Sequence, residues 1–504
     1  MKIILVFKTH FDIGFTDLAS NVIDQYAGSM LEQVIETCKG TQKLGKRHFV
    51  WTMPAWPLWH IVNHSEPSQK KELDELIENG QVVWHALPFT SHTDFATPGE
   101  YLRGFTYSWL LAERYRKPCP IAAKMTDVPG HSVMLPDLLS QAGIRFLHLG
   151  CNEFATPPEV PELFYWQAPG GRKVLTMYSR GGYGSGLIPP KSWKYPVWMA
   201  LMHTVDNSGP QSADAIEHMV EEIQKTYPDA EIVCGTMDDF YRELEKCDLS
   251  EVPVLQKDMA DTWIHGVGAY PKEVGILRED RKMAETMEAI WANRLLTDTS
   301  AEAAKEEEIC KLWDAYYHQI TMFEEHTWGA DVKTYMGPNR VYKKEEFREA
   351  KDSDAYRFME RSWEEQRERV QESHKTVGEL CVELIAQNGG EKQKEWYLFY
   401  QGSGTYTGWV ELPEGWEHPV VTRNGEKLPC EKIAGIWQVY AEQLEGFRSV
   451  PVRIEEECCE CCQDAEKGNA KTEGKSDRCN TDCVEQGEKA GCSIDDAEIA
   501  ADGT

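Results

Sequence analysis

The stretch Lys8 to Phe15, KTHFDIGF, sets His10 and Asp12 two residues apart immediately after the apolar run Ile3-Ile4-Leu5-Val6-Phe7. Side chains alternate along a buried strand, so positions i and i+2 project the same way. At the carboxyl end of a parallel strand, an imidazole and a carboxylate pointing together make half of a zinc site. A polar strand exit with a capping Asp is the plainer reading of the same two residues. A second carboxylate, Asp127, follows the run Ala122–Thr126 and precedes a Pro-Gly turn and the helical segment MLPDLLSQAGI. That is where α/β barrels present catalytic acids. His10, Asp12 and Asp127 thus offer three ligands from two strand ends, and one more histidine would close a zinc site that still admits substrate. Two histidines compete for that place: His326 in FEEHTWGAD, where a long helical pattern ends, and His265 in DTWIHGVGAYP, beyond the last strand-like run.

Residues 1–270 alternate short apolar runs with amphipathic segments, the pattern of repeated βα units around a parallel sheet or barrel. Strands are expected at Ile3–Phe7, His48–Thr52, Gln81–His85, Ala122–Thr126, Phe146–Leu149, Val174–Tyr178, Met199–His203 and Glu231–Val233. Helices fall between them, among them Ser68–Glu78 and Ser132–Ala142, the latter closed by Gly143. Over residues 271–390 the segments EDRKMAETMEAIWANRLL, AKEEEICKLWDAYYHQITMFEE and Glu345–Ile385 are long, charged and 3.6-periodic, which predicts a helical bundle. From Trp396, WYLFYQGSGTYTGWVELP reads as strands and turns, so residues 391–454 are expected to form a partial β domain. Residues 455–504 hold fifteen Asp/Glu against five Lys/Arg and seven of the fifteen cysteines, four of them in Cys458-Cys459-Glu460-Cys461-Cys462. Few apolar residues and a high net charge predict a disordered tail, and vicinal Cys-Cys does not match the CxxC spacing of a zinc knuckle.

The net charge of −30 argues against nucleic-acid and anionic-membrane partners and favours a neutral substrate. A mean hydropathy of −0.52 with 41% hydrophobic residues describes a water-compatible chain with ample core. The opening MKIILVFKTHFD is too short for a signal h-region, so it is expected to be the first strand of a cytoplasmic protein. The eight cysteines outside the tail fit a reducing compartment. A homo-oligomer is compatible with the sequence.

The run FVWTMPAWPLW from Phe49, then ELIENGQVVWHALPFTSHTD and TDVPGHSVMLPDLLSQAGIRFLHLG, resemble in order and spacing the catalytic domain of the family 38 glycoside hydrolases, the α-mannosidases. The resemblance implies an α/β fold, an irregular parallel β/α barrel of the glycoside hydrolase and deacetylase type, followed by the helical bundle and a short β region. It implies one zinc ion on His10, Asp12 and Asp127, with Asp127 also the catalytic nucleophile. TMFEEHTWGAD is similar to the family's late histidine segment, which favours His326 as fourth ligand. The stretch around His265 looks like the family's sugar-pocket segment. HTVDNSGPQSADAIEHMVEEI is similar to a Gly-rich segment of bacterial members and makes Asp206 the acid/base candidate, although Asn207 and Ser208 depart from it. Ser91-His92-Thr93-Asp94 replaces an Asp-Glu pair, and most of the family's C-terminal β region is missing. The chain looks like a divergent bacterial branch.

A retaining glycosidase needs one carboxylate as nucleophile and a second to protonate the leaving oxygen. Zinc, by the same resemblance, would bind vicinal sugar hydroxyls as template and Lewis acid. His85, His92 and Asp94 follow a strand exit and are expected to contact sugar hydroxyls or to support the metal ligands. Trp51, Trp56, Trp84 and Trp263 are candidate stacking platforms, with burial in the core as the alternative for each. Two rival readings share the metal: a carbohydrate deacetylase, in which a metal-bound water attacks an acyl carbon, and a sugar-binding protein without a competent acid.

Overall fold

The computed structural model describes residues 1–128, 130–259, 269–297, 303–337, 342–385, 395–400, 402, 404–446 and 449–456. The chain divides into two compact units, Met1–Ala284 with Ser300–Glu383, and Glu285–Thr299 with Leu384–Thr504.

The first unit contains β1 (Lys2–Thr9), β2 (Trp51–Met53), β3 (Val82–Trp84), β4 (Ala122–Met125), β5 (Phe146–Gly150), β6 (Leu163–Gln167), β7 (Lys173–Ser179), β8 (Val197–Thr204), β9 (Glu231–Cys234) and β10 (Val254–Leu255). Ile3 to Phe7 are wholly buried on both faces, which is why their sequence is a continuous apolar run rather than an alternating one. One parallel sheet runs β3-β2-β1-β8, and β9 shares an edge of β1 with β2. Lys2–Leu5 pair with Glu231–Cys234, whereas Phe7 meets Trp51. The other sheet runs β10-β6-β7-β5-β4, parallel except that β6 is antiparallel to β7. Among the described residues the two sheets do not close into one hydrogen-bonded ring. At the seam beside β3 and β4, the Ala86 N–H donates to the Ala122 carbonyl at 3.0 Å.

All eight expected strands are present to within three residues at each end, while β6 and β10 were not anticipated. β10 is two residues long, and β6 folds back on β7 as a hairpin instead of following a crossover helix. The helix Leu135–Gln141 ends as the sequence predicts. Gly143 takes φ +84°, the Ile144 N–H returns to the Leu139 carbonyl at 2.9 Å, and the Gly143 N–H returns to that of Ser140 at 3.1 Å.

Three long helices, Pro271–Thr297, Ala303–Phe323 and Asp354–Ile385, match the expected bundle segments. They are not a unit of their own, because most of their residues fall in the same compact unit as residues 1–270. Arg281 shows one reason. Its guanidinium reaches Glu100 at 2.8 Å and Glu324 at 3.1 Å, all three side chains being largely buried.

The second unit holds β11 (Glu395–Phe399), β12 (Thr405–Glu411), β13 (Pro419–Arg423), β14 (Glu426–Lys427), β15 (Cys430–Ile433), β16 (Ile436–Glu445) and β17 (Ser449–Glu456). They form two antiparallel sheets, β11-β17-β13-β14 and β12-β16-β15, over a small core with Val421, Val439 and Leu444. Asn424-Gly425, both at positive φ, make the two-residue turn between β13 and β14. The tail begins later than expected, since Glu455 and Glu456 complete β17 opposite Val420 and Pro419. The cysteine-rich remainder lies outside the described residues. Among those residues no helix is long and apolar enough to cross a membrane.

Candidate active site

His10 and Asp12 leave the end of β1, Asp127 leaves the end of β4, and His326 follows the helix Ala303–Phe323. One ligand-type atom from each lies within 4.8 Å of all the others, and all four residues are buried. Asp12 Oδ1 is shared by His10 Nε2 at 3.0 Å and His326 Nε2 at 3.1 Å, and Asp127 Oδ2 lies 3.2 Å from His326 Nε2. Beyond these approaches to one another, His10 Nε2, Asp12 Oδ1 and His326 Nε2 are buried with no other polar partner. Two imidazole nitrogens and two carboxylates converging with unsatisfied buried atoms are a donor set suited to a divalent cation.

The outer nitrogens of both histidines are engaged. Glu325 Oε1 lies 2.6 Å from His326 Nδ1, and Thr126 Oγ1 lies 3.1 Å from His10 Nδ1. Such partners fix the tautomer that leaves Nε2 free for a metal. Lys124, itself buried, donates to Thr126 at 2.9 Å.

The placing of His326 depends on a short antiparallel strip. Ser91 bridges Glu325, the His92 N–H donates to the Glu324 carbonyl at 3.0 Å, and the His326 N–H donates to that of Thr90 at 3.2 Å. Thr90 Oγ1 also accepts the Thr126 N–H, tying the strip to the exit of β4. The His92 ring lies with Nε2 3.2 Å from the His326 carbonyl, so it supports the ligand segment.

Asp127 is held from two sides. Opposite the cluster, its Oδ1 accepts from Asn152 Nδ2 at 2.7 Å and from the Tyr183 hydroxyl. Its backbone sits at φ +88°, a conformation that costs a non-glycine residue on the order of 1–3 kcal/mol and tends to persist where surrounding contacts enforce it. The Asn152 N–H on its carbonyl, at 3.1 Å, is one such contact.

Burial alone would raise the pKa of Asp12, but His10 and His326 carry it well below the ordinary carboxylate range. Burial likewise opposes ionisation of Asp127, and His326, then His10, overcome it. Burial would lower His326, yet Glu325, Asp12 and Asp127 together hold it well above the usual imidazole value. Asp206 is shifted upward, first by burial and then by the charge of Asp12, with Asp127 adding and His10 opposing. Its neighbour Asn207, at φ +50°, clamps the exit of β1: its Oδ1 accepts the Asp12 N–H at 3.0 Å, its Nδ2 donates to the Asp12 carbonyl at 2.9 Å, and its N–H donates to the His10 carbonyl at 2.9 Å. The departure from glycine at 207 therefore supplies contacts that glycine could not.

Several candidates are placed elsewhere. Trp56 is 2% exposed and packs on Phe11 and Phe89, so it is core and not a platform. Trp51 and Trp84 are also buried, and the Trp84 indole donates to Ser108 at 3.1 Å. His85 is buried, its Nδ1 accepting the Leu87 N–H at 3.3 Å, and burial with Lys8 and Lys124 nearby pushes its pKa far down. Asp94 is exposed. His265 and Trp263 lie outside the described residues. Asn152 and Tyr183 escaped the sequence reading, for neither stands at a distinctive spacing.

An α/β fold in which parallel strand ends and one helix end gather a two-histidine, two-aspartate cluster is a scaffold suited to metal-assisted chemistry. Residues 1–236 match the profile of the glycosyl hydrolases family 38 N-terminal domain, and residues 302–388 match that of a domain of unknown function (DUF5054). The first 236 residues are thus similar to the N-terminal domain of that family. No curated protein matches the chain in sequence. Among solved structures, an alpha-mannosidase from Enterococcus faecalis V583 is similar at a TM-score of 0.60 and 11% identity, over 90% of this chain and 56% of that one. A second Enterococcus faecalis protein, in the Glycosyl Hydrolase Family 38, is similar at a TM-score of 0.55 and 10% identity, over 91% and 54%. At such identity the likeness is one of fold, and the chain spans little more than half the length of either.

Proposed function

We propose that this chain is a zinc-dependent retaining glycoside hydrolase of α-mannosidase type, acting on neutral glycosides with Asp127 as nucleophile and Asp206 as acid/base. The observation that carries the reading is the double engagement of Asp127, one oxygen toward the His10–Asp12–His326 cluster and the other held by Asn152 and Tyr183. The two donors on its remaining oxygen and the enforced backbone fix the direction of the carboxylate, as a nucleophile requires. The similarity to the family 38 domain supports the same chemistry.

His10, Asp12, Asp127 and His326 would hold one zinc ion, which when bound would supply a template and Lewis acid for vicinal sugar hydroxyls. Asp127, kept ionised, attacks the anomeric carbon and forms a glycosyl ester. Asp206, its pKa raised, gives its proton to the departing oxygen and later takes one from the water that releases the sugar. Two carboxyls pushed in opposite directions by their surroundings make the natural division into nucleophile and acid.

A 2-deoxy-2-fluoro or 5-fluoro glycosyl fluoride should label Asp127, found by peptide mapping, and NMR should give a product of retained configuration. Label on another carboxylate, or an inverted product, overturns the mechanism. Acetate release from acetylated sugars without glycoside cleavage would install the deacetylase in its place. Purified protein should carry one zinc per chain and lose it on His10→Ala; equal substoichiometric zinc in both removes the site.

A further inference from the structure

Two loops pin Oδ1 of Asp127, the one after β5 through Asn152 and the one after β7 through Tyr183. The same two loops line the walls of a cavity of about 930 Å³ that the catalytic reading does not use. Its volume falls in the range of roughly 300–1,000 Å³ typical of ligand pockets. Glu159 and Glu162 come from the first loop, and Arg180, Ile188 and Pro190 from the second, so polar edges alternate with apolar faces. Arg180 also ties the loops together, donating to the Val160 carbonyl at 2.5 Å. Gly184 lets the second loop lie against β8, for a Cβ there would come within 2.4 Å of the Leu201 carbonyl oxygen.

At the start of the first loop stands Phe154, 89% exposed, the most exposed of the large apolar side chains described. It is not a stray surface residue at a distance from the chemistry. Its N–H donates to Asn152 Oδ1 at 2.9 Å while the Nδ2 of that same amide donates to Asp127 at 2.7 Å. One amide group therefore separates the phenylalanine backbone from the nucleophile. A flat aromatic ring left in water on a loop that pins the nucleophile is suited to the apolar face of a sugar ring.

From these observations we infer that the 152–162 and 179–190 loops form the leaving-group subsite, with Phe154 stacking on the second sugar and the cavity receiving the saccharide beyond it. The inference rests on the glycosidase reading. Its ligand is an uncharged saccharide, because two carboxylates against one guanidinium would repel an anionic one. On cleavage this saccharide leaves as an alcohol, its glycosidic oxygen having taken the acid's proton.

The test compares kcat/KM on α-linked mannobioses with that on α-mannosyl fluoride, whose leaving group has no ring to stack. For Phe154→Ala the ratio of disaccharide to fluoride should fall roughly five- to tenfold, the worth of one aromatic contact, and Phe154→Tyr should restore it. Glu162→Gln should raise KM for the disaccharide more than for the fluoride. An unchanged ratio in Phe154→Ala, including an equal fall on both substrates, overturns the subsite while leaving the glycosidase intact. A zinc-loaded wild type that cleaves neither substrate overturns the α-mannosidase reading on which the subsite rests, and the subsite with it.

Discussion

Asp206 holds its proton more tightly than an ordinary aspartic acid because burial and the neighbouring charge of Asp12 both oppose its ionisation. A protonated acid is what a poor leaving group needs. Turnover of such substrates should therefore decline as pH rises through this raised pKa, and Asp206→Asn should abolish that limb of the profile. The substitution should cost about 10²–10⁴-fold on alkyl glycosides and far less on activated aryl glycosides, with azide restoring the latter. Equal losses on both, at unchanged zinc content, would reduce Asp206 to a sugar contact. His10 and Asp12 were legible in the sequence because period-2 geometry at a strand exit constrains where both side chains go. Asn152 and Tyr183 were not, since a loop residue's direction is set by the fold around it. Trp56 shows the converse: an aromatic in AWPLW reads equally as platform or core, and only its contacts with Phe11 and Phe89 decide.

The elements explain why a histidine more than three hundred residues from His10 reaches the same point. Residues 90–92 and 324–326 pair as a short ladder, and Arg281 between Glu100 and Glu324 fastens the helix that delivers them. Such pairing between a strand exit and a helix end has no periodic signature, so the sequence showed the helices and strands but not how they meet. It also left His92 open between a sugar contact and a support for the metal ligands. Glu325→Gln, which keeps the shape but weakens the partner of His326 Nδ1, should lower zinc affinity about 10- to 100-fold in chelator competition. Unchanged affinity would leave Glu325 no part in positioning the ligand. Arg281→Met strands two buried carboxyls, and loss of one partner from such a group costs about 3–5 kcal/mol. The sign of its pH dependence follows from Glu324, raised first by burial and then by Glu100. With the arginine gone, acid protonates Glu324 and relieves the penalty, so the deficit measured by urea unfolding should shrink as pH falls. A deficit independent of pH would attribute the loss to packing alone.

At the scale of the whole chain, ten of the thirty net negative charges belong to residues 455–504. The proposed substrate is neutral, so it offers this acidic segment no charge to attract or repel. The acidic segment should therefore be dispensable for catalysis, but the place of the cut matters. Glu455 and Glu456 pair with Val420 and Pro419 in β17, and the Glu456 carboxylate accepts the N–H groups of Glu417 and His418, each at 2.8 Å. A chain ending at Glu456 should keep kcat and KM on a neutral glycoside and melt where the full chain melts. One ending at Ile454 loses those hydrogen bonds and the end of the strand, and its second unit should melt earlier with catalysis still intact. A large fall in kcat for the chain ending at Glu456 would mean instead that the segment carrying Cys458 to Cys462 acts at the catalytic centre.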